Sequence, residues 1–193
     1  MTARCYVQTV LGPIEPSALG RTITHEHLLV DEVTDALSPS TSAADRAHWN
    51  EPLTLENHYE ARREILFYRD NMVLLSVDEA IDECKRFRDH GGSCIVDQSP
   101  WALGRDPIAL RGISINSGIH IAMGTGYDVY AYQRPEIATW DVGRIRDEIL
   151  KDIVVGYKKA DVDAAAYSRF SGGSAGGCVS SMYSTSVHPW LSR

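Results

Sequence analysis

From residue 76 to residue 155 the chain alternates between helix-period and strand-period patterning, and few architectures accommodate that. Ser76-Val77-Asp78-Glu79 is a capping box, with Ser76 as N-cap and Glu79 at the third helical position. Val77, Ala80, Ile81, Cys84 and Phe87 then recur at helical spacing. His90 falls in the last turn, favourable at the negative end of the helix dipole. Gly91-Gly92 ends the helix, because glycine reaches the left-handed cap without a Cβ clash. The pattern predicts a strand over 93–97, a helix over 106–116 closed by Gly118, and a strand over 119–123. A third helix is expected over 141–155, with Val142, Ile145, Ile149 and Ile153 on one face. Helices and short apolar strands in this order predict βαβ units and a parallel sheet.

Upstream, residues 6–14 read as a short strand with a turn at Gly12-Pro13, and 22–29 as a strand entered through Gly20-Arg21. The long segment 31–75 is expected to hold a helix over 55–68 and irregular structure before it. Insertions of this size after a barrel strand usually shape an active-site rim. Arg62, Arg63 and Glu64 on that helix read as a solvated charged face.

Charge narrows the partners. With 19 Lys+Arg against 26 Asp+Glu the net charge is −7, which argues against nucleic acid and against an anionic membrane surface. No run approaches the roughly 18 apolar residues of a membrane span, and residues 1–8 contain no apolar signal core. The expected compartment is the cytoplasm. The four cysteines, at 5, 84, 94 and 178, form no CxxC and read as reduced thiols. Cys94 has no flanking base and is not a candidate nucleophile.

The acidic residues divide the chain in two. All 26 lie at or before Asp163, and the stretch after it is dominated by Ser, Gly and Ala. Residues 1–163 are read as the folded body and 164–193 as an irregular low-complexity tail, with a short strand over 178–183 as its one candidate element.

Thr24-His25-Glu26-His27 carries the chemistry. In a strand, alternate side chains share a face, so His25 and His27 would project together at the end of the predicted strand. Two neutral imidazoles so placed make half of a site for a divalent metal. A bare His-x-His pair is more often structural. Its position at the end of a strand that opens a βα series is what raises the metal reading.

The stretch VQTVLGPIEPSALGRTITHEHLLVD resembles the N-terminus of the phosphotriesterase family, within the amidohydrolase superfamily. The resemblance continues through LTLEN at 53–57, GRD at 104–106, GIHIAMGTGY at 118–127 and IRDEILKDIVVG at 145–156, and covers residues 6–162. It lies closer to the phosphotriesterase-related, lactonase-like branch than to the organophosphate hydrolases. It implies an α/β fold, a (β/α)8 TIM-type barrel of which this chain carries the N-terminal βα units only. It implies a two-metal hydrolase in which hydroxide held by the metals attacks an ester, lactone, phosphoester or amide of a small-molecule substrate. By the resemblance, His25 and His27 bind one divalent metal, with zinc as the default and cobalt, manganese or iron as alternatives. Tyr127, in the loop after the third barrel strand, would line the substrate pocket; the same loop also reads as a plain glycine-rich turn.

The family site also takes a bridging Lys or Glu from strand four, two histidines from strands five and six, and an Asp from strand eight. This chain has no Lys after Lys159, no Glu after Glu148, and only His188 among later histidines. A complete barrel typically takes about 250 residues. The expectation is therefore a truncated or frame-shifted family member, inactive as written. The alternative is a non-catalytic barrel remnant that acts through self-association as a homo-oligomer or through a partner. Asp97, Arg105 and Asp106 fall near the end of the second barrel strand. Asp106 is expected to cap the following helix, and Arg105 reads as a solvated loop charge.

Overall fold

The computed structural model describes residues 6–33, 48–64, 68–128, 132–133, 135–154, 156 and 170–171. At its centre is a parallel sheet in the order β3 (Arg21–Glu26), β6 (Gly92–Asp97), β7 (His120–Met123). The crossover from β6 to β7 is α3 (Pro107–Ser117), and α2 (Val77–Asp89) precedes β6. Ile23 pairs with Ile95, and Ile95 with Ile121. Ile95, Ile121 and Met123 of this sheet cluster with Ala80 and Cys84 of α2 and Leu110 and Ile113 of α3. This is the strand–helix–strand arrangement that the alternating periods predict, a section of a parallel α/β barrel.

The helices begin and end where local chemistry dictates. Ser76 Oγ accepts from Glu79 N at 3.2 Å, and Asp106 Oδ1 accepts from Ile108 N and Ala109 N at 3.0 and 3.1 Å. Asp106 is thus the cap of α3, with Pro107 at the first helical position, where its missing N–H is no loss. Gly91 and Gly118 follow the two helices with φ of 85° and 76°, the left-handed region in which a side chain is strained. Gly92, expected to share in ending α2, instead opens β6. His90 Nδ1 lies 2.7 Å from Arg86 O, so the imidazole meets an otherwise orphaned carbonyl of the last turn. α4 (Val142–Val154) matches the third expected helix.

β1 (Tyr6–Thr9) and β2 (Gly12–Ile14) form an antiparallel hairpin whose Thr9↔Gly12 pair places the turn at Val10-Leu11. The expected turn at Gly12-Pro13 is thereby corrected. Thr9 supplies the reason: its Oγ1 accepts from Leu11 N at 3.2 Å and donates to Gly12 O at 2.7 Å, closing the turn two residues earlier. Val10 N donates to Ile121 O at 2.8 Å, which joins the hairpin tip to β7. β8 (Phe170–Ser171) pairs antiparallel with β1, so two residues of the Ser/Gly/Ala-rich stretch are in a strand. The candidate strand over 178–183 lies outside the described residues.

Between β3 and α2 the helix is shorter than expected. α1 is His58–Arg63, and Tyr68 lies beyond it with its hydroxyl donating to Glu60 Oε2 at 2.9 Å. Arg62, Arg63 and Glu64 are exposed. β4 (Val30–Asp31) and β5 (Val73–Leu74) pair antiparallel and close the insertion at its base. Cys84 and Cys94 are free thiols, 1% and 0% exposed; Cys5 and Cys178 lie outside the described residues.

Candidate metal centre and the neighbouring cleft

β3 and β6 end side by side, and the segments that leave them are tied together. Gln98 N donates to Glu26 O at 2.8 Å and Gln98 Nε2 to Thr24 O at 3.3 Å. Leu28 N donates to Asp97 Oδ2 at 2.9 Å, and Ser99 Oγ donates to Leu29 O at 3.0 Å. His27 enters this strap with its Nδ1 3.0 Å from Ser99 Oγ. The His25 and His27 rings lie 5.3 Å apart, centroid to centroid, at 73°. His25 is exposed and His27 half-buried.

The two rings meet, though not by strand alternation alone. β3 ends at Glu26, so His27 is already outside it. Ile23 pairs with Ile95 but Glu26 pairs with Asp97, so β3 carries one extra residue there. Such a bulge breaks the period of two and re-aims side chains, a frequent device beside functional sites. The alternation expected across 24–27 is corrected on that ground. The strap from β6 is what aims His27.

Asp97 is fully buried beneath the strap. Its Oδ1 accepts from Ser99 N at 3.0 Å, opposite the Leu28 bond to Oδ2. Burial pushes its carboxyl up to about 6, aided by the charge of Glu26 and opposed by the hydrogen bonds from Leu28 and Ser99. Its oxygens hold backbone, and its role here is to fasten His27-Leu28 to β6.

Arg105 is not the solvated charge that its loop position predicts. Its side chain is 3% exposed, with Nη2 2.8 Å from Asp152 Oδ2 of α4. Its Nη1 donates to Gly124 O at 2.9 Å. Thr125 Oγ1 donates to the same Asp152 oxygen at 2.6 Å. A guanidinium can be buried only where carboxylate and carbonyl acceptors meet its fork, and α4 and the loop after β7 provide them.

Beside this network is a cleft of about 100 Å³, open to solvent, lined in part by Trp101, Arg105, Thr125, Tyr127, Trp140 and Asp152. Tyr127 stands edge-on to Trp140 at 6.4 Å and 88°, and the Arg144 guanidinium lies 4.1 Å over the Trp140 ring. Tyr127 lines this cleft, but His25 and His27 are not among the cleft's residues. The sequence reading missed Asp152 and Ser99. Each acts across a long sequence separation, 47 residues for Arg105–Asp152 and 72 for His27–Ser99, and no local pattern marks either. Among the described residues no group of three or more His, Cys, Asp or Glu is placed to hold a metal ion.

Comparison with known proteins follows the same lines. The phosphotriesterase family profile matches residues 5–178. This chain belongs to the phosphotriesterase family. It is 32% identical over 151 residues to the human N-acetyltaurine hydrolase, covering 78% of this chain and 43% of that protein. It is 30% identical over 157 residues to a phosphotriesterase-related protein of Nematostella vectensis, covering 80% of this chain and 45% of that one. Among solved structures, a resiniferatoxin-binding protein from Rhodobacter sphaeroides superposes with a TM-score of 0.72 at 31% identity, over 88% of this chain and 45% of that chain. The chain thus spans under half the length of these family members. Several of the relatives, the N-acetyltaurine hydrolases, are hydrolases by name. Among the described residues no helix is long and apolar enough to cross a membrane.

Proposed function

We propose that this phosphotriesterase-family chain carries the first half of a metallohydrolase centre, with His25 and His27 as ligands of one divalent cation, zinc by default. The observation that carries the reading is the ring spacing. Two imidazoles sharing one tetrahedral ion at a zinc–nitrogen distance of about 2.0–2.1 Å would have centroids about 5.2 Å apart. The rings here are 5.3 Å apart. Two imidazole nitrogens at the end of a parallel barrel strand also suit zinc chemically. When bound, such a cation supplies Lewis acidity and brings the pKa of a coordinated water toward neutrality.

The chain's own residues hold and orient the His27 imidazole and the neighbouring loop. The strap from β6 holds His27, Asp97 anchors the strap, and the Arg105–Asp152 network fixes the loop that carries Tyr127. The substrate class is a small-molecule ester, lactone, phosphoester or amide, and the N-acetyltaurine hydrolases among the relatives favour the amide. The cytoplasm is the proposed compartment, in keeping with two free buried cysteines. Of the family's ligand set, His25 and His27 are the two residues proposed to bind metal in this chain.

Equilibrium dialysis of the 193-residue chain against zinc, followed by metal analysis, tests this. One zinc per chain is expected, lost in His25→Ala/His27→Ala. Unchanged zinc content in the double variant rejects the ligand assignment.

A further inference from the structure

We infer that Ser99 is a positioning residue that sets the tautomer of His27, holding the proton on Nδ1 and presenting Nε2 as the ligating nitrogen. The inference rests on the metal reading of His27 above for its purpose, but not for its geometry. A serine hydroxyl has one hydrogen to give and lone pairs to receive with. Ser99 Oγ lies 3.0 Å from Leu29 O, which can only accept, so the hydroxyl hydrogen is committed there. No hydrogen is then left for the imidazole. The 3.0 Å contact between Ser99 Oγ and His27 Nδ1 must then be Nδ1–H donating to oxygen.

The setting makes the lock rigid. Ser99 is 1% exposed and its own N–H is held by Asp97 Oδ1. Leu28 N and Leu29 O, the groups that follow His27 along the chain, are held by Asp97 and Ser99. Imidazole in water prefers the opposite tautomer, with the proton on Nε2, where it would block that nitrogen as a ligand. A hydrogen bond at the far nitrogen is the general means by which proteins orient a ligating histidine and raise its basicity.

The test is a long-range proton–nitrogen NMR spectrum of the ¹⁵N-histidine-labelled, metal-free chain at pH about 8, where an ordinary imidazole is neutral. The His27 signals are expected to show Nδ1 protonated and Nε2 bare. In Ser99→Ala the balance should shift toward Nε2–H, and zinc affinity by equilibrium dialysis should fall about 10- to 100-fold. Ser99→Thr, which keeps the hydroxyl, should restore both. A wild-type His27 carrying its proton on Nε2 overturns the inference without any variant. So does a folded Ser99→Ala chain with an unchanged tautomer. If the wild type shows the Nδ1–H form yet binds no zinc, the lock stands and the metal reading falls.

Discussion

Arg105→Ala should be among the costliest single changes in this chain. The side chain is 3% exposed and makes two charge-assisted or carbonyl hydrogen bonds, to Asp152 Oδ2 at 2.8 Å and Gly124 O at 2.9 Å. Removing one partner of a buried ion pair typically costs about 3–5 kcal/mol, because the other charge is left behind. Asp152 is 24% exposed and keeps its bond from Thr125, so water and the hydroxyl relieve part of that loss. The expected cost is therefore at the lower end, about 3 kcal/mol. Asp152→Ala should cost at least as much, since the charge it abandons is the more deeply buried of the two. Arg146→Ala is the control: that side chain and its partner Asp147 are 66% and 65% exposed, and such pairs contribute only about 0–1 kcal/mol. Urea unfolding followed by circular dichroism gives the three midpoints, and the double variant closes the cycle. The singles should be strongly non-additive, because they break one interaction. A loss in Arg105→Ala as small as that in Arg146→Ala, or additive costs in the double variant, would refute the assignment of a buried network joining α4 to the ends of β6 and β7.

Three further outcomes follow from the geometry. Asp106→Ala removes the acceptor of two helix N–H groups and should lower urea stability by about 1 kcal/mol, a cost that Asp106→Ser should largely restore. Burial pushes the thiols of Cys84 and Cys94 up to about 11, so at pH 8 about one in a thousand is thiolate, and neither should react with Ellman's reagent until the chain is unfolded. Asp97 has its carboxyl raised from 3.8 to about 6 on folding, so the folded state binds this proton more tightly than the unfolded one. Its contribution to stability is full below about pH 4 and is lost as pH rises to about 6, a decline of roughly 3 kcal/mol. The stability difference between wild type and Asp97→Asn should show that slope; a flat difference from pH 4 to 7 would rule it out.

Particular residues show which parts of the fold were legible beforehand. Ser76, Asp106, Gly91 and Gly118 bound their helices through contacts within four residues, so the caps of α2 and α3 could be read from spacing. β4 and β5, two residues each, are too short to carry a period, and they went unread. The hairpin turn was misplaced because glycine and proline mark turns only in general, whereas the Thr9 hydroxyl closes this one at Val10-Leu11. At the candidate site, His25-x-His27 was legible as a pair, but the bulge that re-aims it and the Ser99 contact that holds it depend on where β6 ends. Arg105 was misread for the same reason: a residue's exposure depends on what tertiary packing places beside it.

The two parallel pairings of the central sheet differ in how much chain each must loop out. β6 and β7 are joined by a crossover consisting of little more than a short 3₁₀ turn and α3, whereas the route from β3 to β6 passes through the whole insertion, α1, β5 and α2. The entropy of closing a loop grows with its length, and contacts of high sequence separation form late. The α2–β6–α3–β7 unit should therefore assemble as the folding nucleus, with β3 docking onto a β6 edge that already exists. On that order, substitutions at Ile113 or Ile121 slow folding, while substitutions at Ile23 chiefly speed unfolding. It also means that His25 and His27 arrive last, carried in by the strand that completes the sheet, so that a metal ion held there would act as a latch on the finished fold rather than as a template for it.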